Sequence, residues 1–157
     1  MEQSSGLKSM QEDTWLSENL SPARVITAVQ LKIALKQAQE LSLPLRETLL
    51  RLRMVKESGL LALYAKHFGM DILNIAEHDY QMVDKSLTRL LPLEFCLKHK
   101  VLPVFQIADD ESRELTLAVT TPFAQEIIAE VARLTGCRVT PVLTTVAAIE
   151  GGIAKLY

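Results

Sequence analysis

Glycine is scarce in this sequence of 157 residues, and the six glycines present, Gly6, Gly59, Gly69, Gly136, Gly151 and Gly152, include none followed by Lys-Ser or Lys-Thr. A loop that cradles nucleotide phosphates needs that arrangement, so hydrolysis of ATP by that mechanism is excluded and no catalytic residue is expected. Only two cysteines occur. Cys96 and Cys137 lie far apart among apolar neighbours, without a second ligand at metal spacing, and read as small buried hydrophobes in a reducing compartment. His67, His78 and His99 are too scattered to make a metal motif, and no serine or cysteine has an identifiable base beside it. The reading is therefore no metal and no enzyme. No stretch approaches the ~20 apolar residues that span a bilayer, and the N-terminus, with Glu2, Glu12 and Asp13, lacks a signal-peptide core. A cytoplasmic protein is expected, with no direct membrane insertion. Cations are not in excess either: 17 Lys and Arg against 19 Asp and Glu give a net charge of −2. Sequence-independent nucleic-acid binding, which draws on counterion release, is not expected.

What the chain does have is a globular balance, 48% hydrophobic and 23% charged, over a length that suits one domain or two small lobes. Residues 1–12 are polar and aperiodic and read as a disordered lead-in. From there to residue 69 the pattern is helical. Thr27 followed by Gln30 predicts a capping box, ahead of a helix whose buried stripe is Leu31, Ala34, Leu35, Ala38 and Leu41. After Leu43-Pro44 a helix carries Leu45, Leu49 and Leu50, and another carries Leu60, Leu61, Tyr64 and Phe68 before a C-cap at Gly69.

Residues 70–157 read as an α+β lobe. Residues 84–90 form a short helix, Pro92 opens another running to Lys98, and strands at 101–107 and 115–119 flank a polar hairpin tip. Thr121-Pro122 caps a helix that Gly136 closes; a third strand follows at 139–143, then a final helix capped by Thr144 or Thr145. The fold class is α+β: a helical lobe followed by a small three-stranded mixed sheet packed with helices.

Shifting the chain by 29 residues aligns residues 15–38 with 44–67, two degenerate 24-residue repeats. Leu16 meets Leu45, Leu20 meets Leu49, Arg24 meets Arg53 and Leu31 meets Leu60. Two helical hairpins of similar amphipathic spacing would look the same.

The second lobe narrows the choice. Leu90-Leu91-Pro92-Leu93-Glu94-Phe95, Lys98-His99-Lys100-Val101-Leu102-Pro103-Val104, Leu115-Thr116-Leu117-Ala118-Val119 before Thr121-Pro122-Phe123, and Leu134-Thr135-Gly136 resemble, in order and spacing, the N-terminal domain of the hexameric ATPases of type II secretion and type IV pilus assembly. That family carries tandem 24-residue repeats ahead of such an α+β unit. The resemblance implies a regulatory and docking domain that recruits an ATPase to the cytoplasmic domain of an inner-membrane platform protein. The chain would then sit at the inner membrane only through that partner, and oligomerise only through an ATPase domain that these residues do not contain.

In some members the repeats bind cyclic di-GMP through an opening Arg-Leu-Gly, a mid-repeat Gly and a closing Gln. Here the opening arginines are Trp15 and Pro44, their glycines Ser17 and Arg46, the mid-repeat glycines Arg24 and Arg53, and the closing glutamines Ala38 and His67. Trp15, Ser17, Arg24, Arg46, Arg53 and His67 are thus the candidate nucleotide positions, with side chains where the family pattern wants bare backbone. No resident cofactor is implied, cyclic di-GMP being the alternative ligand. For docking, the basic segment Arg46, Arg51, Arg53 and Lys56 is the first candidate, since arginine forks pair well with carboxylates. The apolar face around Trp15 and Leu20 is the second.

Overall fold

The computed structural model of the chain describes residues 2–74 and 83–157, in two compact units, Met1–Leu60 and Leu61–Tyr157. His78 lies outside the described residues. The sequence reading puts the division at residue 69; it falls earlier because the last two turns of a helix ending at Phe68 belong with the second unit.

Four helices carry the first part: α1 (Glu2–Asn19), α2 (Ala28–Leu41), α3 (Leu45–Arg51) and α4 (Glu57–Phe68). Residues 2–12 of the lead-in expected to be disordered over 1–12 belong to α1. A helix already nucleated gains one backbone hydrogen bond for each residue added upstream, and no apolar periodicity is needed for that. Among the described side chains of α1, Glu12, Leu16 and Leu20 are buried.

Three backbone hydrogen bonds around the turns recur at the 29-residue shift. Val25 N–H donates to Leu20 O (3.0 Å) as Met54 N–H donates to Leu49 O (3.1 Å). Arg24 N–H reaches Ser21 O (2.9 Å) as Arg53 N–H reaches Leu50 O (3.1 Å), and Leu31 N–H reaches Thr27 O (3.0 Å) as Leu60 N–H reaches Lys56 O (3.2 Å). Helices α2 and α4 begin 29 positions apart, at Ala28 and Glu57. Both turns depend on a left-handed residue, Arg24 at φ 60° and Arg53 at φ 57°, a conformation that costs a side chain with a Cβ roughly 1–2 kcal/mol. The pairs Leu16/Leu45 and Leu20/Leu49 are wholly buried, each leucine contributing about 1.5–3 kcal/mol.

The two helix–turn–helix segments are joined by polar contacts as well. Pro44 at the N-cap of α3 makes no side-chain cap; instead Asp13, from α1, accepts the Leu45 N–H at Oδ1 (3.0 Å). Thr27 and Gln30 make the predicted capping box of α2, with bonds of 3.1 and 2.9 Å. The expected buried stripe of α2 is narrower than its periodicity suggests: Ala34 is buried, while Leu35 and Leu41 are exposed.

In the second unit a 3₁₀ turn (Lys85–Arg89), capped by Asp84, leads to α5 (Leu93–His99), β1 (Leu102–Ala108), β2 (Arg113–Val119), α6 (Gln125–Thr135), β3 (Arg138–Leu143) and α7 (Val146–Leu156). The sheet order is β1-β2-β3, the first pair antiparallel and the second parallel, which is the mixed sheet expected. Asp109 Oδ1 accepts the Glu111 and Ser112 N–H groups at the hairpin tip. Residues 71–73 run beside β3, with Leu73 N–H on Leu143 O (2.7 Å) and Leu143 N–H on Asp71 O (2.8 Å). Thr145 caps α7 through the Ala148 N–H (3.0 Å). Thr121-Pro122 does not open α6. Thr121 Oγ1 takes the Phe123 N–H (3.2 Å) in a local turn, and the helix starts three residues after Pro122 from an Ala124 N-cap. Similarly, Pro92 is the N-cap of α5 rather than its first residue.

Leu91, Leu102, Leu115, Leu117, Leu143 and Ile149 form the centre of this unit, with Cys96 and Cys137 buried and free beside them. The Tyr157 hydroxyl donates to Leu91 O (2.8 Å) and lies 3.4 Å from Cys96 Sγ, tying the end of α7 to α5. Burial and the neighbouring thiol push the phenol well above its ordinary range.

Two predictions follow from the helical turns and the Asp13 cap. Arg24→Gly and Arg53→Gly should each stabilise the fold by about 0.5–1 kcal/mol, the relief of the left-handed Cβ exceeding the flexibility glycine adds to the unfolded chain. Arg24→Ala and Arg53→Ala keep the Cβ and should show no such gain; thermal melts in which glycine does no better than alanine would remove the strain argument. Burial, opposed by the Leu45 hydrogen bond and reinforced by the charge of Glu12, holds the Asp13 carboxyl above its ordinary range. A raised folded-state pKa means that this group's stabilising share is complete below the ordinary carboxylate range and is lost as pH rises through the folded value. Asp13→Asn, which keeps an acceptor without the charge, should therefore be at least as stable as the parent at neutral pH, whereas Asp13→Ala should lose about 0.5–2 kcal/mol. Equal losses in both variants would show that the charge, not the acceptor, is what Leu45 needs.

Candidate functional site

Arg46, in the first turn of α3, is only 8% exposed. Its guanidinium lies 3.1 Å from Glu57 Oε2 and 3.7 Å from Glu12 Oε2, so it is enclosed by one carboxylate from α1 and one from the start of α4. This corrects the expectation that Arg46 belongs to an exposed basic docking segment. Its charge is spent inside the first unit, where an arginine fork can satisfy two acids at once. Leu20 is corrected likewise: it is wholly buried, part of the packing between the repeats and unable to meet a partner.

The rest of the basic segment is at the surface. Arg51 in the last turn of α3, Arg53 in the left-handed turn and Lys56 just before α4 are all exposed. Arg24, equivalent to Arg53, is exposed in the matching turn. A shallow cavity of about 300 Å³ opens there, lined by Ser21, Arg24, Val25, Ile26, Thr27 and Gln30. Its polar lining is already engaged in part, because Thr27 and Gln30 bond to each other's backbone in the capping box.

Among the other nucleotide positions, Trp15 is half-buried in α1 with its carbonyl taken by Asn19 Nδ2 (2.8 Å), and the Ser17 hydroxyl turns back onto Thr14 O (2.8 Å). Ala38 is half-buried in α2. His67 belongs to the second unit. Its ring stands edge-on to Phe68 (4.9 Å), which in turn meets Phe123 (5.4 Å). The geometry thus places Trp15, Ser17, Arg24, Arg46 and Arg53 in the first unit but gives them different tasks: Arg46 is a buried ion-pair partner, Ser17 a helix-surface hydroxyl, and Arg24 and Arg53 exposed cations on strained turns.

The helical reading missed one exposed feature. Val29 and Ile33 on α2 are 67% and 47% exposed, and Lys32 and Lys36 stand on the same side of the helix with no ion pair among the described residues. The signal was available in the spacing, since 29, 32, 33 and 36 share a helix face, with Leu35, expected in the buried stripe, at its edge. Among the described residues no group of His, Cys, Asp and Glu is placed to hold a metal ion, and no helix is long and apolar enough to cross a membrane.

Comparison with known proteins fits this architecture. The chain is 25% identical over 142 residues to the type IV pilus assembly ATPase PilB of Myxococcus xanthus (strain DK1622), an alignment covering 90% of the chain and 24% of PilB. It therefore spans about a quarter of the length of that curated relative. Among solved structures, MshE with cdg shares the fold with a TM-score of 0.71 at 23% identity, covering 90% of this chain and 98% of that one. The N-terminal domain of XpsE does so at 0.64 and 19%, covering 92% and 94%. Residues 68–157, from the end of α4 through the whole mixed sheet and α7, match the MshEN domain family. With more than half of its length so matched, the chain belongs to the MshEN domain family, as its resemblance to the N-terminal domains of secretion and pilus assembly ATPases implied.

Proposed function

We propose that this domain docks a secretion or pilus assembly ATPase onto the cytoplasmic domain of an inner-membrane platform protein, and that it does no chemistry itself. The observation that carries the reading is charge placement. Residues 21–56 hold seven cations, Arg24, Lys32, Lys36, Arg46, Arg51, Arg53 and Lys56, against two acids, Glu40 and Glu47, in a chain whose net charge is −2. Six of those cations remain exposed once Arg46 is enclosed. A concentrated basic surface on one unit of an otherwise acidic chain steers an acidic protein partner and fixes its orientation. On this reading the chain stays peripheral to the membrane.

A second reading, a cyclic di-GMP sensor, is favoured by the likeness to MshE with cdg and by the left-handed backbone kept at Arg24 and Arg53. Against it stands Arg46, which fills a position the nucleotide-binding pattern reserves for glycine and is tied to Glu12 and Glu57. We favour docking for that reason.

Binding titrations with the platform's cytoplasmic domain separate the two. Reversing the exposed charges, Arg51→Glu, Arg53→Glu and Lys56→Glu together, should weaken binding by about tenfold at low salt and by less at moderate salt, where the opposed charges are screened. Circular dichroism melts should stay close to the parent, as these positions are exposed. Cyclic di-GMP should leave the melting temperature unmoved; stabilisation approaching the ~2.7 kcal/mol expected of a ligand at a hundred times its Kd would transfer the weight to the sensor reading.

A further inference from the structure

The internal repeat offers a comparison that the family pattern does not. On α4, Leu61 and Tyr64 are buried, while Phe68 on the same side meets Phe123 (5.4 Å) and stays 38% exposed. Moved back by 29 residues, the same helix side on α2 holds Lys32, Leu35 and Gln39, with Lys36 beside them at the place of Ala65. All four are exposed. Next to them stand Val29 and Ile33, 67% and 47% exposed. The two positions buried on α4, Leu61 and Tyr64, thus correspond to the exposed Lys32 and Leu35 on α2. Together with Val29 and Ile33, whose counterparts Ser58 and Ala62 on α4 are exposed as well, the outer part of α2 carries three apolar side chains interrupted by Lys32 and Lys36.

We infer that the outer face of α2, formed by Val29, Lys32, Ile33, Leu35 and Lys36, receives a folded protein surface that combines an apolar patch with carboxylates placed to meet the two lysines. The inference rests on the docking reading and names the surface and partner chemistry for it. Charge selects the occupant. Residues 21–39 contain Arg24, Lys32 and Lys36 and no acid, so an acidic partner is matched and a basic one repelled. A second copy of the chain is disfavoured, since stacking the face on itself brings four lysines together. A bilayer is disfavoured too. Helices that lie in membranes present a continuous apolar side rich in Trp, Phe and Leu with cations on the opposite flank, whereas here Lys32 and Lys36 fall between Leu35 and the Val29–Ile33 pair and the face has no aromatic residue. Apolar contact would supply affinity and the lysines register.

The test titrates the full 157-residue chain against the platform's cytoplasmic domain, comparing the parent with two variants. One, Val29→Ser with Ile33→Ser, removes the apolar pair; the other, Lys32→Glu with Lys36→Glu, reverses the charge and leaves the apolar atoms in place. Each should weaken binding by about tenfold or more, with helix content unchanged by circular dichroism. If the parent binds and the charge-reversed variant, well folded, binds as tightly, the α2 face is not the surface and the inference falls, while docking through Arg51, Arg53 and Lys56 stands. A parent that does not bind at all overturns docking and this surface with it. Two further results would also overturn the inference: association with phosphatidylglycerol vesicles that the lysine reversal abolishes, or a concentration-dependent dimer that the serine pair abolishes.

Discussion

The enclosure of Arg46 between Glu12 and Glu57 is the interaction on which the first unit turns. It fastens the first turn of α3 to α1 on one side and to the start of α4 on the other, while Asp13, next to Glu12, caps the same end of α3. Two consecutive residues of α1 thus hold the entry to the second repeat, one by charge and one by a hydrogen bond. Removing one member of such a buried set leaves an uncompensated charge and costs about 3–5 kcal/mol, more than the same ions would contribute at the surface. A glycine at position 46 would leave Glu12 buried without its cation, so the arginine and the two acids form one device.

That device also divides the cations of the chain by role. Among the cations of residues 21–56, Arg46 is internal, and those on α2, on the two left-handed turns and at the end of α3 face outward. The turns are where the repeat is most visible. Arg24 and Arg53 hold backbone conformations that glycine adopts at no steric cost, yet carry long cationic side chains there. The strain is tolerated because the turn hydrogen bonds and the buried pairs Leu16/Leu45 and Leu20/Leu49 fix the backbone on either side.

Much of this architecture is legible in the residues themselves. The repeat shows in leucines 29 apart, the caps in Thr27 with Gln30 and in Gly69 and Gly136, and the sheet in two short β-rich runs around an acidic tip. What is not legible depends on partners distant in sequence. Arg46 sits in a run with Arg51, Arg53 and Lys56 and looks like one more surface cation; its first acid lies in α1, more than thirty positions earlier. The N-terminal turns of α1 carry no apolar pattern because they are an extension of a helix anchored at Glu12 and Leu16. Thr121-Pro122 looks like a helix start, but Thr121 engages the Phe123 N–H in a turn of its own. On α2 the leucines suggested the buried side, and only the three-dimensional packing shows that Ala34 carries it while Val29 and Ile33 face out.

Hydrogen exchange on the chain alone and in complex with the platform's cytoplasmic domain tests the central claim, docking through the basic surface of the first unit, most directly. The account predicts added protection along α2 and through residues 51–56, with the hairpin tip at 109–112 and the end of α7 unchanged. Protection confined to the second unit, or none anywhere at saturating partner, would contradict it.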